Sequence, residues 1–339
     1  MKAPLFLGQR QIEVAEVDDP VLQRPDEVMV RVVRSGICGS DQSLYLNPGR
    51  KPGVHGHEAA GIVVEVGEGV RDRQPGDRVV VYDVIGCGQC RYCRQGQFTY
   101  CPDRAGSVGG GFGELLVAPE RNLIPLPEDV PFDRGCLLSD AFGTPAKAAR
   151  KVGVGPDDTV AVFGCGPIGL NAVQVARAYG ASVIACDLID YRLEAARELG
   201  AQHVLNGSRC DPVAAIRDLT DLGADKSIEC SGSPLAERQA LECLRPAGRA
   251  VFVGECGKLE ISPSEHLIRR DVEIMGSWYI HLNDFVTNLA LMADTGADPL
   301  RIVTHRVALE DIAAGFAAFC DRREGCLKVI VSVTEEQPA

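Results

Sequence analysis

The chain has 339 residues, 45% of them hydrophobic and 24% charged, with a formal net charge of −12. That length exceeds what one hydrophobic core serves, so two domains are expected, and the acidic balance leaves no basic patch to neutralise the phosphates of a nucleic-acid partner. No segment reaches the roughly eighteen apolar residues of a membrane span, the opening Met1–Gly8 lacks a signal-peptide core, and most of the fourteen cysteines are scattered through apolar runs, so a soluble cytoplasmic protein without membrane partners is expected.

Residues 1 to about 140 read as short β-runs broken by Gly and Pro: Val28–Val33, Gly61–Val66, Arg78–Tyr82 and Glu114–Ala118. This is the pattern of a compact, partly open β-barrel. Within it, Ser35-Gly-Ile-Cys38-Gly-Ser40-Asp41 carries a thiol out of a strand into a glycine-bounded turn, and Gly56-His57-Glu58 sets a histidine beside an acid in a glycine-rich bend. Each is a candidate metal site, and each has a plain alternative: a buried thiol, a loop histidine, a surface acid.

The run Cys87-x2-Cys90-x2-Cys93-x7-Cys101 is more specific. Two-residue gaps let successive thiolates turn onto one tetrahedral ion, and Gly86, Gly88 and Gly96 suit backbone that wraps a metal through positive φ. An iron–sulfur cluster is the metal rival, although the ferredoxin run closes after three residues rather than seven. A set of reduced or redox-active thiols is the non-metal reading. A closed four-thiolate zinc site is structural, which places the chemistry elsewhere.

From about Thr144 apolar strands alternate with helical stretches: Val160–Phe163, Ile168–Tyr179, Ser182–Cys186, Tyr191–Leu199, Lys226–Cys230, Leu235–Leu244 and Arg249–Val253. Alternation at this spacing specifies an α/β doubly wound parallel sheet. Gly164-Cys-Gly166-Pro167-Ile168-Gly169 places G-x-G-x-x-G between the first strand and its helix: one glycine for the tight turn, one for approach of a pyrophosphate, one for helix–strand packing. Asp187, eighteen residues beyond Gly169, suits two ribose hydroxyls and disfavours a 2′-phosphate, which points to NAD. Arg192 is close enough to accommodate that phosphate instead, and could equally be a surface charge. Beyond these elements lie a strand over Val272–Ile280, helices over Asn283–Thr295 and Leu309–Cys320, and a terminal strand over Leu327–Val333.

The motif around Cys38, the Gly-His-Glu at His57, the four-cysteine lobe, the glycine motif with Asp187, and the late segment Asp298–His305 occur in the order found in the zinc-dependent medium-chain alcohol dehydrogenases, and the chain resembles that family over essentially its whole length. The resemblance implies a GroES-like catalytic domain over 1–143 and 282–339, with a structural zinc lobe at about 86–102, and a Rossmann NAD-binding domain over 144–281. It implies a catalytic zinc held by Cys38, His57 and a third ligand before the dinucleotide domain. The segment Gly135-Cys-Leu-Leu-Ser-Asp140 resembles the Leu-Ser-Asp version of formaldehyde-dehydrogenase-like members, so Asp140 takes that role ahead of Cys136. Zinc would lower the pKa of a substrate hydroxyl, Ser40 would take the first proton, Glu58 would tune the metal from behind its ligands, and Thr144 would lie near the nicotinamide.

The function expected is oxidation of a secondary alcohol, polyol or sugar alcohol, with NAD and two zinc ions. The alternatives are a formaldehyde dehydrogenase or aldehyde dismutase and, in another class, a non-catalytic NAD-binding protein. One departure is Ser43, which stands where many members carry a relay histidine. Tyr45, Asn47 and His281 are candidate binders of extra substrate hydroxyls. The strand at Val272–Ile280 falls where family members pair sheets edge to edge, which implies a homodimer or homotetramer.

Overall fold

The structure, a computed structural model, describes residues 1–47 and 53–336. The chain divides into two compact units, one made of Met1–Asp140, Ile280–Phe285 and the segment from Val303 onward, the other of Ala141–Tyr279 and Val286–Ile302.

The first unit opens with β1 (Lys2–Gly8) and β2 (Gln11–Glu16), an antiparallel hairpin turned at Gln9 and Arg10, both at positive φ. Then follow β3 (Glu27–Gly36), α1 (Gln42–Leu46), β4 (Glu58–Val66), β5 (Arg78–Val81), β6 (Val84–Ile85), β7 (Gly106–Ser107), β8 (Leu115–Pro119), β9 (Leu123–Pro125) and α2 (Phe132–Leu138). Ten-residue β3 is the spine, pairing with β4 from Val28↔Val66 to Gly36↔Glu58 and with β8 from Glu27↔Pro119 to Arg31↔Leu115. Its backbone is paired on both edges, and its valines Val28, Val30 and Val32 are buried in the core of the unit.

The second unit begins with α3 (Gly143–Val152) and continues as β10 (Thr159–Phe163), α4 (Pro167–Ala178), β11 (Ser182–Asp187), α5 (Asp190–Glu198), β12 (His203–Asn206), α6 (Pro212–Thr220), β13 (Ala224–Glu229), α7 (Pro234–Glu242), β14 (Leu244–Phe252), α8 (Pro263–His266), β15 (Glu273–Gly276) and α9 (Asp284–Thr295). Its six strands lie parallel in the order β12-β11-β10-β13-β14-β15. Counted from β10 this is 3-2-1-4-5-6, the Rossmann order. Val160, Ala161 and Val162 are fully buried, as strands covered by helices on both faces require.

The chain returns through β16 (Val303–Ala308), α10 (Ile312–Cys320) and β17 (Lys328–Ser332), and β17 joins β3 antiparallel to complete the seven-stranded sheet of the first unit. Phe6, Phe112 and Phe316 meet in its core at centroid distances of 5.1–6.0 Å, two of the three pairs edge to face. Each such ring contributes about 1.5–3 kcal/mol over exposure.

The observed division differs from the expected one. Residues 286–302 pack with the second unit rather than the first. Asn288 Oδ1 accepts from Arg150 of α3, the Asp298 amide donates to Gln174 of α4, and Arg301 reaches the Glu198 carbonyl at the end of α5. The expected strand over Val272–Ile280 is regular only over Glu273–Gly276, since Tyr279 takes a φ of 53°, which no strand allows.

Candidate active site

The loop after β6 gathers Cys87, Cys90, Cys93 and Cys101, with ligand atoms all within 4.8 Å of one another. Cys87 and Cys93 sulfurs lie 3.9 Å apart, close to the edge of about 3.8 Å for a tetrahedron with Zn–S near 2.3 Å. The amides of Gln89 and Cys90 donate to Cys87 Sγ at 3.5 and 3.4 Å. They bring its pKa down to about 6 and so favour the thiolate form that a metal needs. Gly88 and Gly96 have the expected positive φ. Gly86 does not; it is needed for space, because a Cβ there would stand 2.7 Å from Cys93 Sγ.

The second cluster is Cys38, His57, Glu58 and Asp140. Pairing of Gly36 with Glu58 sets the end of β3 beside the start of β4, so Cys38 and His57 leave the sheet as neighbours. The bend before β4 is fixed from outside: the Phe112 amide donates to the His55 carbonyl and the Gly111 amide to that of Gly56. Asp140 follows α2, which Asp133 anchors to Arg34 and Arg306, each at 2.9 Å. Asp140 Oδ2 lies 3.4 Å from Cys38 Sγ and 3.2 Å from His57 Nε2. Tetrahedral edges around zinc are about 3.6 Å for S–O and about 3.4 Å for N–O, so the three donors stand at ligand spacing. Cys136 does not join them; it is buried in α2 with its thiol on the Asp133 carbonyl.

Two residues beyond those expected complete the cluster. Asp41 Oδ1 lies 3.3 Å from His57 Nδ1 while Oδ2 accepts from the Cys38 amide at 2.9 Å. That carboxylate takes the Nδ1 side of the imidazole and leaves Nε2, turned toward Asp140, as the nitrogen that would ligate a metal in place of its proton. Fully buried Lys328 of β17 reaches both Glu58 oxygens, at 2.8 and 2.7 Å, and the Ile37 carbonyl at 2.7 Å. Burial pushes the Cys38 thiol up, and Asp140 adds to the shift. Burial alone would lower the His57 pKa, but Asp41 and the hydrogen bonds to Asp140, Asp41 and Cys38 outweigh it and hold it well above the usual range. With Glu58 answered by Lys328, the Cys38 thiol, the Asp140 carboxylate and His57 Nε2 converge with ligand atoms within 4.8 Å of one another, a donor set that favours a cation. The donor set fits a zinc ion.

Ser40 sits exposed in the single turn Gly39–Asp41. Ser43 Oγ donates to the Ser40 carbonyl. Tyr45 is 4% exposed and packs on Phe316. His281 has Nδ1 3.4 Å from Thr99 Oγ1 and its ring edge-on to Tyr100 at 4.8 Å.

In the second unit, β10 is followed by Gly164 at φ +84°, Gly166 caps α4, and Pro167 and Ile168 begin that helix. A Cβ on Gly169 would lie 1.7 Å from the Gly164 carbonyl oxygen, so only glycine lets the helix approach. The N-terminus of a helix is suited to an anion. Asp187 at the end of β11 accepts from the Cys165 amide at 2.6 Å and from Leu188 and Ile189 at 2.7 and 3.0 Å. Arg192 lies 4.0 Å from it. Thr144 is buried in the first turn of α3.

Residues 24–128 match the alcohol dehydrogenase GroES-like domain and residues 167–294 the zinc-binding dehydrogenase domain. The chain is 32% identical over 345 aligned positions to sorbitol dehydrogenase of Bacillus subtilis, covering 98% of this chain and 97% of that one. Among solved structures it is similar to the alcohol dehydrogenase TADH from Thermus sp. ATN1 (35% identity, TM-score 0.87, 98% and 100% of the chains covered). It is also similar to 2R,3R-butanediol dehydrogenase from Bacillus subtilis (31%, TM-score 0.85, 98% and 99%). The chain belongs to the zinc-dependent medium-chain alcohol dehydrogenases.

Proposed function

We propose that this dehydrogenase oxidises a secondary alcohol, polyol or sugar alcohol to the ketone, with NAD as hydride acceptor. The observation that carries the reading is the trio Cys38, His57 and Asp140 at tetrahedral spacing: three protein ligands leave a fourth position open, as catalytic zinc sites do. Relatives that act on sorbitol and on 2,3-butanediol support the substrate class. When bound, zinc acts as a Lewis acid that makes a substrate hydroxyl acidic. Asp41 keeps the His57 tautomer fixed, and Lys328 neutralises Glu58 so that its charge is not added to the ligands'. Ser40 Oγ takes the hydroxyl proton and releases its own to the solvent it is exposed to. Ser43 donates to the Ser40 carbonyl and so steadies the turn that presents Ser40. Gly164, Gly166, Pro167, Ile168 and Gly169 receive the dinucleotide phosphates, Asp187 and Arg192 its adenosine ribose, and Thr144 its nicotinamide end. The Asp187 carboxylate favours NAD over NADP.

The closed four-cysteine site holds the structural zinc. The protein acts in a reducing cytoplasm, as its many free thiols suit, and no helix among the described residues is long and apolar enough to cross a membrane. It assembles as a homodimer or homotetramer through β15, which ends the six-stranded sheet with an unpaired edge among the described residues.

The test is NADH formation from NAD across polyols, simple secondary alcohols, L-threonine and aldehydes, each repeated after chelation. A chelator-sensitive signal with the polyols or secondary alcohols is expected. Turnover confined to aldehydes, or silence from protein holding both zinc ions, would sink the proposal.

A further inference from the structure

At the carboxyl end of the parallel sheet, β10 has β11 on one side and β13 on the other. The strand order reverses there, and ligands of doubly wound sheets bind in the crevice outside such a switch point. Glu229 is the last residue of β13, in register with Phe163 of β10 and Phe252 of β14. It is fully buried, and burying a carboxylate is costly unless its oxygens are satisfied. Here they are. Glu229 Oε1 accepts from the Ser231 amide at 2.7 Å, from the Ser231 hydroxyl, and from the Gly232 amide at 3.2 Å, while Oε2 lies 3.1 Å from that same amide. Ser231 Oγ in turn accepts from the Ser233 amide at the start of α7.

The turn this carboxylate ties down stands directly against the glycine loop. A Cβ on Gly164 would meet Ser231 Cβ at 2.7 Å and Ser231 N at 3.0 Å. Behind the turn, a Cβ on Gly232 would lie 2.4 Å from the Glu255 carbonyl oxygen, and one on Gly254 would lie 2.1 Å from Gly232 N and 2.8 Å from Glu229 Oε2. The loops after β10, β13 and β14 are therefore in backbone contact, with one carboxylate bonded at their centre. None of the cofactor-site residues described above makes these bonds.

We propose that Glu229 is a positioning residue of the cofactor site: by fixing the 231–232 turn it sets the position of Gly164, and so that of the Gly166 amide and the α4 N-terminus that follow it and receive the dinucleotide phosphates. This rests on the reading of the glycine loop as the dinucleotide site.

The experiment is titration of NADH into the zinc-loaded full chain, followed by fluorescence, for the wild type, Glu229→Gln and Ser231→Ala. Glutamine keeps the size but turns one acceptor into a donor facing the Gly232 amide. NADH binding is expected to weaken about tenfold or more in Glu229→Gln, which disturbs every bond to the carboxylate, and about threefold in Ser231→Ala, which removes the hydroxyl's bonds but leaves the Ser231 and Gly232 amides on it. KM for NAD should rise by more than kcat falls, with the zinc content kept. Unchanged NADH affinity in folded Glu229→Gln overturns the proposal, as does a loss of melting temperature with KM for NAD unmoved. If Glu229→Gln does not fold, unchanged affinity in Ser231→Ala overturns it. A wild type that binds neither NADH nor NADPH removes the cofactor reading itself, and the proposal with it.

Discussion

Lys328 shows how much of the metal site is held by residues that touch no metal. Its ammonium, 1% exposed, sits between both oxygens of a fully buried Glu58 and the carbonyl of Ile37, the residue before Cys38. One side chain thus fixes the acid beside His57 and the strand end that delivers Cys38. A buried pair of this kind is no gain over a well-packed apolar pair, but breaking it by removing one partner leaves a lone charge in the core, at about 3–5 kcal/mol. Lys328→Met is therefore expected to lower unfolding stability by that order, and adding Glu58→Gln should recover much of the loss. Urea unfolding of the four proteins of the cycle measures this; strictly additive effects would show that the two do not act as a pair. In the sequence Lys328 is visible only as a charge in an apolar strand, Leu327–Val333, and nothing local names its partner 270 residues away. Asp41 is similar: it stands in the motif that carries Cys38, but its hold on His57 is made by the tertiary fold. The four cysteines stood out because a metal demands particular donor atoms at particular gaps, whereas Cys38 and His57 were only candidates until the family resemblance joined them. Asp140 came from resemblance to a family pattern.

Among the elements, the four-cysteine loop does more than close on itself. Within the first unit it grips the short segment Ile280–Phe285: the Leu282 amide donates to the Gly96 carbonyl at 2.9 Å, Asn283 Nδ2 to the Gln95 carbonyl at 3.3 Å, and His281 rests on Thr99 and Tyr100. Gly96 allows this approach, since a Cβ there would be 3.3 Å from that of Leu282. If the ion organises the loop, its loss should be felt at that segment. Cys90→Ser/Cys93→Ser is expected to lower the zinc content by one equivalent and to speed amide exchange in both 95–101 and 281–285. Faster exchange in the loop with unchanged protection at Leu282 would show that the segment is held without it. The β10–α4–β11 unit was readable because strand, glycine turn and helix agree at every level. The pair β12 and α6 was not read. His203–Asn206 is a four-residue outer strand with no fully buried residue, which blurs its pattern, although Asp211 capping α6 before Pro212 is a start signal the sequence does offer. The stretch after Gly276 reads as strand from its apolar residues, yet Lys147 and Lys151 of α3 bind the carbonyls of Trp278 and Gly276 that a longer ladder would use.

Across the whole molecule, chemistry is divided by unit. Every residue of both cysteine- and histidine-bearing clusters belongs to the first unit, and the glycine loop, Asp187, Arg192 and Glu229 belong to the second. The second unit's core, built from Ala161, Phe163, Ile184, Cys186, Ile216, Ala240 and their neighbours, contains no metal ligand. Its stability and its anion-binding helix terminus therefore have no need of zinc. The two metal sites differ from each other as well. Four thiolates shield one ion completely, whereas on the proposed reading three mixed ligands with an open fourth position leave the other accessible to a competing chelator. Mild chelation is accordingly expected to remove one equivalent of zinc first, with turnover falling in step and the melting temperature little changed. Harsher treatment should remove the second and lower the melting temperature, because the loop it organises anchors part of the first unit. Through both stages NADH affinity should hold, since the site that reads the dinucleotide is built without metal. Zinc counting by a colorimetric chelator, NADH formation, fluorescence titration and thermal unfolding on the same samples follow all four quantities. Loss of NADH binding with the first equivalent would show that the cofactor depends on the metal centre, and the division of labour between the units would have to be abandoned.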